Sequence, residues 1–317
     1  STRLGVLDDL RVYDRLLLNR VASVVDAHLR PNQNGFRTQR GTLQHVVALH
    51  HLLDAARVQG MPLALCYVDF SNAFPSPSHV SICSAPRAYH VPPLLISAIM
   101  TMYAGTTGQV RTPEGMTPPF DITQGVMQGD TLAPYLFVMV LDCVLRRALD
   151  PHRGEGIIIT PAFRAADKRG HQPERRLTDM NFADDIVLTS HTVEGVRKML
   201  ASLCAAAAEV GLRMNFKPGK TEYTTFNIAD APPLVVGETP VPRCDDYRYL
   251  GVWSDVTRTV DMRIGMAVAA KARLASVWRS PVVSMRNKIR LFRTIVEPTL
   301  MYGLPAIALS AAHMQRI

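Results

Sequence analysis

Apolar residues recur at helical spacing in several segments of the chain. In residues 10–29 they stand three or four positions apart, which predicts an amphipathic helix. Pro31 ends this helix, because proline cannot continue the helical hydrogen bonding. Two or three basic helices are expected at the end of the chain, after residue 257. Apolar residues three or four positions apart also predict helices over residues 42–58, 93–103, 135–149 and 193–210.

Shorter apolar runs bounded by turn residues predict strands. LALCYVDF at 63–70 predicts a buried strand that ends on Asp69. In MNFADDIVLTS at 180–190, an apolar strand runs into Asp184 and Asp185 and out again. Successive side chains of a strand point to opposite faces, so these two aspartates share a place only where the backbone turns. We therefore predict a hairpin tip at Asp184–Asp185. The stretch 150–178 is predicted to be an irregular, basic insertion.

The order of these elements is strand, helices, strand pair, helix and strand. This order predicts an α+β fold with a split βαβ sheet. In such a sheet, the end of the first strand and the tip of the central hairpin are neighbours. Asp69, Asp184 and Asp185 are therefore expected to converge, although they are far apart in the sequence.

Converging carboxylates repel each other and are costly to bury, so a cation is expected among them. A partly open set of carboxylate oxygens suits Mg²⁺ that is bound together with substrate phosphates. Two such ions about 3.5–4 Å apart clamp the attacking and leaving oxygens of a phosphoryl displacement. Taken singly, an Asp-Asp pair is also typical of a surface turn, and a strand-end aspartate of a helix cap. The set of three favours the metal site.

Composition narrows the class of protein. With 317 residues, of which 47% are hydrophobic, the chain can form one large domain and a smaller one. Its five cysteines form no CxxC pair, which argues against a disulfide framework or a zinc site and favours a reducing, intracellular setting. No apolar run reaches the length of a membrane span.

The net charge of +8 lies at the C-terminal end. Residues 258–317 hold ten basic and two acidic side chains, whereas the rest of the chain is balanced. A neutral body with a basic helical tail predicts contact with a polyanion. The alternative is an ordinary solvated helix face.

Five ordered motifs resemble those of the reverse transcriptases of non-LTR (LINE-type) retrotransposons. They are DFSNAF (69–74), QGDTLAP (128–134), FADD (182–185), GLRMNFKPGKTE (211–222) and YLG (249–251). GFRTQRGT at 35–42 is similar to the finger-region motif of that family, and the residues from 247 onward are similar to its primer grip and thumb. The resemblance covers nearly the whole chain.

The resemblance implies a right-hand polymerase with a ferredoxin-like split βαβ palm. Residues 1–62 would be partial fingers, truncated at the N-terminal side. Residues 63–256 would be the palm, with remaining finger elements and the insertion at 150–178. Residues 257–317 would be a partial helical thumb.

The same resemblance implies roles for the carboxylates and their neighbours. Asp69 and Asp184 would be metal ligands and Asp185 the accessory carboxylate, with the backbone carbonyl of Phe70 also facing a metal. Phe74 matches the family's sugar gate, where a rigid ring leaves no room for a 2′-hydroxyl and so selects deoxynucleotides. Ordinary core packing is the alternative for Phe74.

Further residues match contacts to nucleotide, template and primer. Gln128 and Gly129 match the motif that contacts the nucleotide, where glycine lets the backbone approach closely. Lys220 matches a lysine near the triphosphate, where it would neutralise or protonate pyrophosphate, although a hydrated turn lysine fits the sequence as well. Arg37 and Arg40 would meet phosphates or template, or lie in a solvated loop. The primer end would be held by Tyr249, Leu250 and Gly251.

The expected activity is RNA-directed DNA synthesis, by two-metal transfer of a nucleotide from a dNTP to a primer 3′-hydroxyl. Two Mg²⁺ ions are the expected cofactors, with Mn²⁺ as a substitute. The expected partners are an RNA template, a DNA primer or target and dNTPs, with no membrane. The intact element is expected in the nucleus. One alternative is a catalytically inactive polymerase-like scaffold that binds nucleic acid. Another is an RNA-directed RNA polymerase, which predicts a polar residue in place of Phe74.

Overall fold

The computed structural model describes residues 2–127, 129–160, 163–164, 171–172 and 174–317. The chain forms two compact units. The larger unit contains residues 1–41 and 61–243, and the smaller unit contains residues 42–60 and 244–317. The predicted division into fingers, palm and thumb at residues 62 and 256 follows functional motifs and stays a prediction.

The α-helices are, in chain order, α1 (Thr2–Val25), α2 (Thr42–Gln59), α3 (His79–Ala88), α4 (Pro93–Tyr103), α5 (Ala133–Leu149), α6 (Val193–Glu209), α7 (Val256–Arg273), α8 (Ala275–Arg279), α9 (Met285–Leu291), α10 (Glu297–Met301) and α11 (Ala311–Arg316). Short 3₁₀ helices lie at Asp150–Glu155 and Leu304–Ala306, and a π-helical turn lies at Phe292–Val296. None of the described helices has the length and apolar character needed to cross a bilayer.

The strands are, in chain order, β1 (Leu63–Val68), β2 (Phe70–Ser71), β3 (Thr107–Gly108), β4 (Arg111–Thr112), β5 (Gly115–Met116), β6 (Phe120–Asp121), β7 (Ile157–Thr160), β8 (Phe163–Arg164), β9 (His171–Gln172), β10 (Arg175–Leu177), β11 (Asp179–Phe182), β12 (Asp185–Ser190), β13 (Arg213–Met214), β14 (Glu222–Phe226), β15 (Val235–Val236), β16 (Thr239–Pro240), β17 (Arg248–Tyr249) and β18 (Val252–Trp253).

A four-stranded antiparallel sheet forms the centre of the larger unit, with the strand order β11-β12-β1-β14. All six residues of β1 are buried, which explains its unbroken apolar sequence. Helix α6 packs against β1 and β12, and α5 packs against α6 and α3. Because β1 lies beside β12, the first strand and the central hairpin are neighbours, as the split βαβ prediction requires.

Helix α5 is the main core element of the larger unit. Leu136, Phe137, Leu141 and Leu145 are all fully buried within it. Complete burial of one such side chain contributes about 1.5–3 kcal/mol, so α5 contributes strongly to the stability of the helical layer that it forms with α3 and α6.

A buried polar network ties the loop after α1 to α5 and β11. The backbone amide of Arg30 donates to Asp142 Oδ1 at 2.9 Å, and the Tyr89 hydroxyl donates to Asp142 Oδ2 at 2.6 Å. The guanidinium of Arg30 pairs with Asp150 at 3.0 Å and with Asp179. Loss of one partner from a buried pair typically costs about 3–5 kcal/mol, so this network fixes where residues 30–35 run.

The predicted helices at 42–58, 93–103, 135–149 and 193–210 are confirmed, with ends that differ by two residues at most. The helix predicted over 10–29 is confirmed in part, because α1 begins earlier and ends at Val25. Helix α3 was missed because Pro86 interrupts the helical pattern. The helix tolerates this proline near its C-terminal end, and the Ser78 side chain caps its N-terminus.

The prediction that residues 150–178 are irregular is wrong for the described part of this segment, whereas its status as an insertion stays a prediction. Ile157 pairs with Leu177 across β7 and β10, with a bulge between Arg175 and Arg176, and β8 pairs with β9. The β-branched run at Ile157–Thr160 is a strand signal. Its partner β10 is polar and has no such signal.

The smaller unit has its own apolar cluster. The cluster joins α2, β18, α7 and the C-terminal 3₁₀ helix, and its buried members are Val46, Val252, Val260, Leu304 and Ile307. The predicted helical C-terminal region is confirmed, but in these fully described residues it consists of five α-helices, α7 to α11, rather than two or three.

Candidate active site

Asp69 follows the last residue of β1 and is held by the segment 215–221. Its backbone amide donates to Thr221 Oγ1 at 3.1 Å, and its carbonyl accepts from the Asn215 amide at 2.9 Å. The Asn215 side chain also donates to Asp69 Oδ2 at 3.2 Å. Asn215 and Thr221 were not predicted as site residues. Both lie in the motif at 211–222 that also contains Lys220, so the motif itself was the sequence signal that could have identified them.

Asp184 lies in the turn between β11 and β12, and Asp185 is the first residue of β12. Phe182 pairs with Asp185, so Ala183 and Asp184 form the two-residue tip of this hairpin. Ala183 has φ +54°, a left-handed conformation that is unusual outside glycine. The predicted position of the two aspartates at a hairpin tip therefore agrees with the structure.

The strand register brings the three carboxylates to one edge of the sheet. Pairing of β1 with β12 ends with Val68 opposite Ile186, and Asp69 and Asp185 are the residues that come directly after this last pair. Asp184 precedes Asp185 in the turn. The convergence predicted from the sequence is thus present within the larger unit.

The electrostatics of the site show the cost of this convergence. Partial burial, followed by the negative charges of Asp184 and Asp69, raises the pKa of Asp185 to about 6. Burial is also the main cause that raises the pKa of Asp184, and Asp69 adds to it. Asp185 is nevertheless exposed and Asp184 is half-buried, so solvent can reach the carboxylates while surrounding protein displaces part of the water.

The donor set suits a divalent cation that brings other ligands with it. Among the described residues, no group of three or more His, Cys, Asp or Glu side chains is arranged to hold a metal ion by itself. The charge of Asp69 nevertheless helps to raise the pKa of both Asp184 and Asp185, so the three side chains are near one another. Carboxylates that converge without closing a ligand shell fit Mg²⁺, which usually keeps waters or substrate phosphates as ligands.

Phe70 and Lys220 lie beside Asp69. Phe70 is buried in β2, where it pairs with Met214 of β13. The ammonium of Lys220 lies 3.5 Å from Asp69 Oδ1, with about half of the lysine side chain exposed. Lys220 is therefore next to the carboxylates, rather than an isolated turn lysine.

Phe74 and Gly129 line one cavity of about 300 Å³, together with Val126, Met127, Asp130, Ala133 and Pro134. The Phe74 ring stacks on Phe137 at 4.6 Å between centroids and meets Phe36 edge-on at 6.3 Å. Phe74 thus packs on the core and also faces a cavity. Gln128, the other residue predicted to contact the nucleotide, lies outside the described residues.

The two arginines of the 35–42 motif have different surroundings. Arg37 is 8% exposed and donates to Asp26 Oδ1 at 2.7 Å and to the carbonyls of Arg30 and Gln33. It braces its own loop, so neither predicted environment, phosphate or solvent, matches where its guanidinium lies. Arg40 is exposed and donates to the Pro31 carbonyl at 2.8 Å.

Tyr249 ends β17 in the smaller unit, and Leu250 and Gly251 form the turn to β18. Leu250 and Gly251 both have positive φ angles, of +47° and +80°. The Tyr302 hydroxyl donates to the Leu250 carbonyl at 3.0 Å, and Arg263 donates to the Gly251 carbonyl at 2.6 Å. The predicted primer-grip turn is therefore a fixed structure within its unit.

Comparisons with known proteins bear on this site. The family described as "Reverse transcriptase (RNA-dependent DNA polymerase)" matches residues 1–254. A retrovirus-related Pol polyprotein from the type-1 retrotransposable element R2 of Nasonia vitripennis is 27% identical over 81% of this chain and 24% of that protein. Its counterpart from the type-2 element R2DM of Drosophila melanogaster is 28% identical over 86% and 25%. The chain spans about a quarter of the length of these two relatives.

Another relative and one solved structure extend the match. The RNA-directed DNA polymerase from mobile element jockey of Drosophila funebris is 24% identical over 97% of this chain and 33% of its own length. A telomerase structure from Candida albicans, in complex with a fragment of telomeric RNA, has a TM-score of 0.52 at 8% identity and covers 98% of this chain and 53% of that chain. That likeness concerns the fold alone, and it confirms the predicted right-hand polymerase class.

Proposed function

The chain belongs to the reverse transcriptase family, and we propose that it carries the RNA-directed DNA polymerase activity of a non-LTR retrotransposon protein. The observation that carries the proposal is the meeting of Asp69, Asp184 and Asp185 at one sheet edge. The negative charge of Asp69 helps to raise the pKa of both Asp184 and Asp185, and Lys220 forms an ion pair with Asp69. Bound cations would offset the repulsion that arises when these carboxylates are ionised together.

In this proposal the substrates are a primer 3′-hydroxyl, an RNA template and a dNTP. Asp69, Asp184 and Asp185, with the Phe70 carbonyl, would hold a pair of Mg²⁺ ions, for which Mn²⁺ can substitute. Such ions, when bound, neutralise phosphate charge and assist attack of the primer hydroxyl on the α-phosphate. Family membership supports dependence on a divalent metal, while the choice of Mg²⁺ and the number of ions belong to the proposal.

The remaining residues would bind and orient the substrates. Phe74 and Gly129 line the cavity of about 300 Å³ that would receive the incoming nucleotide. The ammonium of Lys220 would neutralise the departing pyrophosphate. Arg40, an exposed cation, would contact the template backbone, and the turn at 249–251 would hold the primer end.

Primer extension on an RNA template with Mg²⁺ and dNTPs tests this function. Asp184→Ala should abolish incorporation, whereas Asp121→Ala, which removes an exposed carboxylate on β6, should leave it intact. RNA binding should persist in both variants. Salt-sensitive RNA binding without incorporation by the unmodified chain would instead favour the inactive scaffold.

A further inference from the structure

The loop that follows the Arg30 network lies directly against the hairpin that carries Asp184. The Asn34 amide donates to the Asn181 carbonyl at 2.9 Å, and the Asn181 amide donates to the Asn32 carbonyl at 3.0 Å. Gln33 and Asn181 form a parallel bridge at this point. Residues 32–34 therefore extend the edge of the sheet next to β11.

The side-chain amide of Gln33 reaches the tip of this hairpin. Its Oε1 accepts from the Ala183 amide at 2.9 Å and from the Gly35 amide at 2.7 Å. Its Nε2 makes a longer contact to the Ala183 carbonyl at 3.4 Å. Gln33 is fully buried, so water cannot replace these bonds. Both peptide groups of Ala183 are thereby fixed, including the one that leads into Asp184.

Gly35 completes the contact by its lack of a side chain. A Cβ placed on Gly35 would lie 2.3 Å from the Ala183 nitrogen, which is too close for two non-bonded atoms. Ala183 itself has φ +54°, a conformation that persists in non-glycine residues only when surrounding structure enforces it. The contacts made by residues 32–35 hold Ala183 in this conformation.

We propose that Gln33 and Gly35 are positioning residues that set the direction of the Asp184 carboxylate by clamping the Ala183 turn. This inference rests on the proposed polymerase function for its catalytic consequence. The clamp itself concerns only contacts within the larger unit. It gives the 35–42 motif region a role in the geometry of the active site, besides any contact with nucleic acid.

The test compares Gln33→Met with two controls. Methionine has a similar volume but cannot make the amide's bonds. Gln59→Met makes the same chemical change at an exposed position of α2. Leu203→Ala lowers stability through a buried residue of α6 that is not part of this contact. Gly35→Ala perturbs the clamp from its other side.

The first readout is hydrogen exchange of residues 181–185 in the metal-free protein. Gln33→Met should accelerate exchange there by about tenfold or more relative to peptides from α6, because the buried Ala183 amide loses its acceptor. Leu203→Ala should accelerate exchange more evenly, and Gln59→Met should leave it unchanged. This readout needs neither bound metal nor polymerase activity.

The second readout is primer extension as a function of Mg²⁺ concentration. Gln33→Met should lower kcat by up to about a hundredfold, since small misplacements of catalytic groups have effects of this size. Its half-saturating Mg²⁺ concentration should rise several-fold relative to Leu203→Ala. A merely structural residue would reduce the folded fraction without moving that concentration.

The outcomes separate the two proposals. Unchanged local exchange, or an unshifted Mg²⁺ dependence in Gln33→Met, would overturn the positioning role. If the unmodified protein incorporates no nucleotide while Gln33→Met still accelerates local exchange, the proposed function fails and the clamp stands.

Discussion

The Lys220 ammonium lies 3.5 Å from the Asp69 carboxylate, at the same sheet edge as Asp184 and Asp185. In the absence of metal, this lysine therefore partly neutralises the carboxylates that a cation would bind. The pair is half-exposed, so its contribution to stability is small, roughly 0–1 kcal/mol. The pair matters because the Lys220 ammonium competes with a divalent cation for the Asp69 carboxylate.

Lys220→Met should tighten the binding of a divalent cation, because a competing positive charge is removed. The expected effect is about threefold to tenfold in Kd, given screening at this exposed pair. The same variant should slow nucleotide incorporation, since pyrophosphate loses a counter-charge. Calorimetric titration with Mn²⁺ and single-turnover extension measure the two effects.

Lys217→Met is the matched control, because Lys217 is exposed in the same loop and has no ion pair to Asp69 among the described contacts. Equal metal affinity in Lys220→Met and Lys217→Met would show that the Asp69 pair does not compete with metal.

A second prediction concerns the repulsion among the carboxylates. Asp184→Asn should raise the stability of the metal-free protein by about 1 kcal/mol, because it removes a partly buried charge next to two others. The same change should abolish the stabilisation that Mg²⁺ or Mn²⁺ gives the unmodified chain. Thermal unfolding with EDTA and with excess metal measures both effects.

Asp121→Asn should leave both melting temperatures unchanged, since Asp121 is exposed on β6. A metal-dependent rise that survives in Asp184→Asn would place the bound cation elsewhere.

A third prediction separates the two roles of Phe74. Its ring stacks on Phe137 and also faces the cavity that contains Gly129. Phe74→Ala should raise the use of ribonucleotides relative to deoxynucleotides by about tenfold or more, because steric exclusion of the 2′-hydroxyl is lost. Competition between dNTP and NTP in primer extension gives this ratio.

Phe36→Ala perturbs the same aromatic cluster, because Phe36 meets Phe74 edge-on. It should lower stability without changing sugar selection. If Phe74→Ala slows both nucleotides equally, Phe74 is a core residue and the sugar gate lies elsewhere.

The candidate site was accessible to sequence reasoning because its signals are local. Asp69 ends an apolar strand, and Asp184 and Asp185 interrupt another, so strand periodicity alone places all three at element ends. The α+β order of the elements was then sufficient to predict that these strand ends are neighbours. The register that sets Val68 opposite Ile186, next to the aspartates, comes from pairing between strands that are distant in sequence, which no local pattern encodes.

The misassigned environment of Arg37 has a tertiary cause. Arginine is usually exposed, so a basic loop residue is expected in solvent or on phosphate. Arg37 is instead buried because Asp26 and two backbone carbonyls satisfy its guanidinium. Likewise, Gln33 contacts a turn 150 positions away, and its sequence neighbours give no sign of that partner.

The last prediction uses a second acidic pair, away from the sheet edge. Asp14 of α1 is buried, and its carboxylate lies near that of Asp130. Partial burial is the largest cause that raises the pKa of Asp130, and the nearby Asp14 carboxylate adds to it, giving a value of about 6. Asp130 also accepts a hydrogen bond from the Leu132 amide at 2.7 Å, at the start of α5.

A carboxyl whose pKa is raised by folding binds its proton more tightly in the folded state. Stability from this group is therefore greatest below about pH 4 and falls as the pH rises from about 4 to 6.

Asp130→Asn keeps an acceptor for the Leu132 amide and removes the charge. It should stabilise the protein at pH 7 by about 1–2 kcal/mol, discounted for partial exposure, and the gain should shrink towards pH 4. Urea unfolding across this pH range, with Asp121→Asn as the control, measures it. A gain that is the same at pH 4 and pH 7 would mean that the charge of Asp130 is not its source.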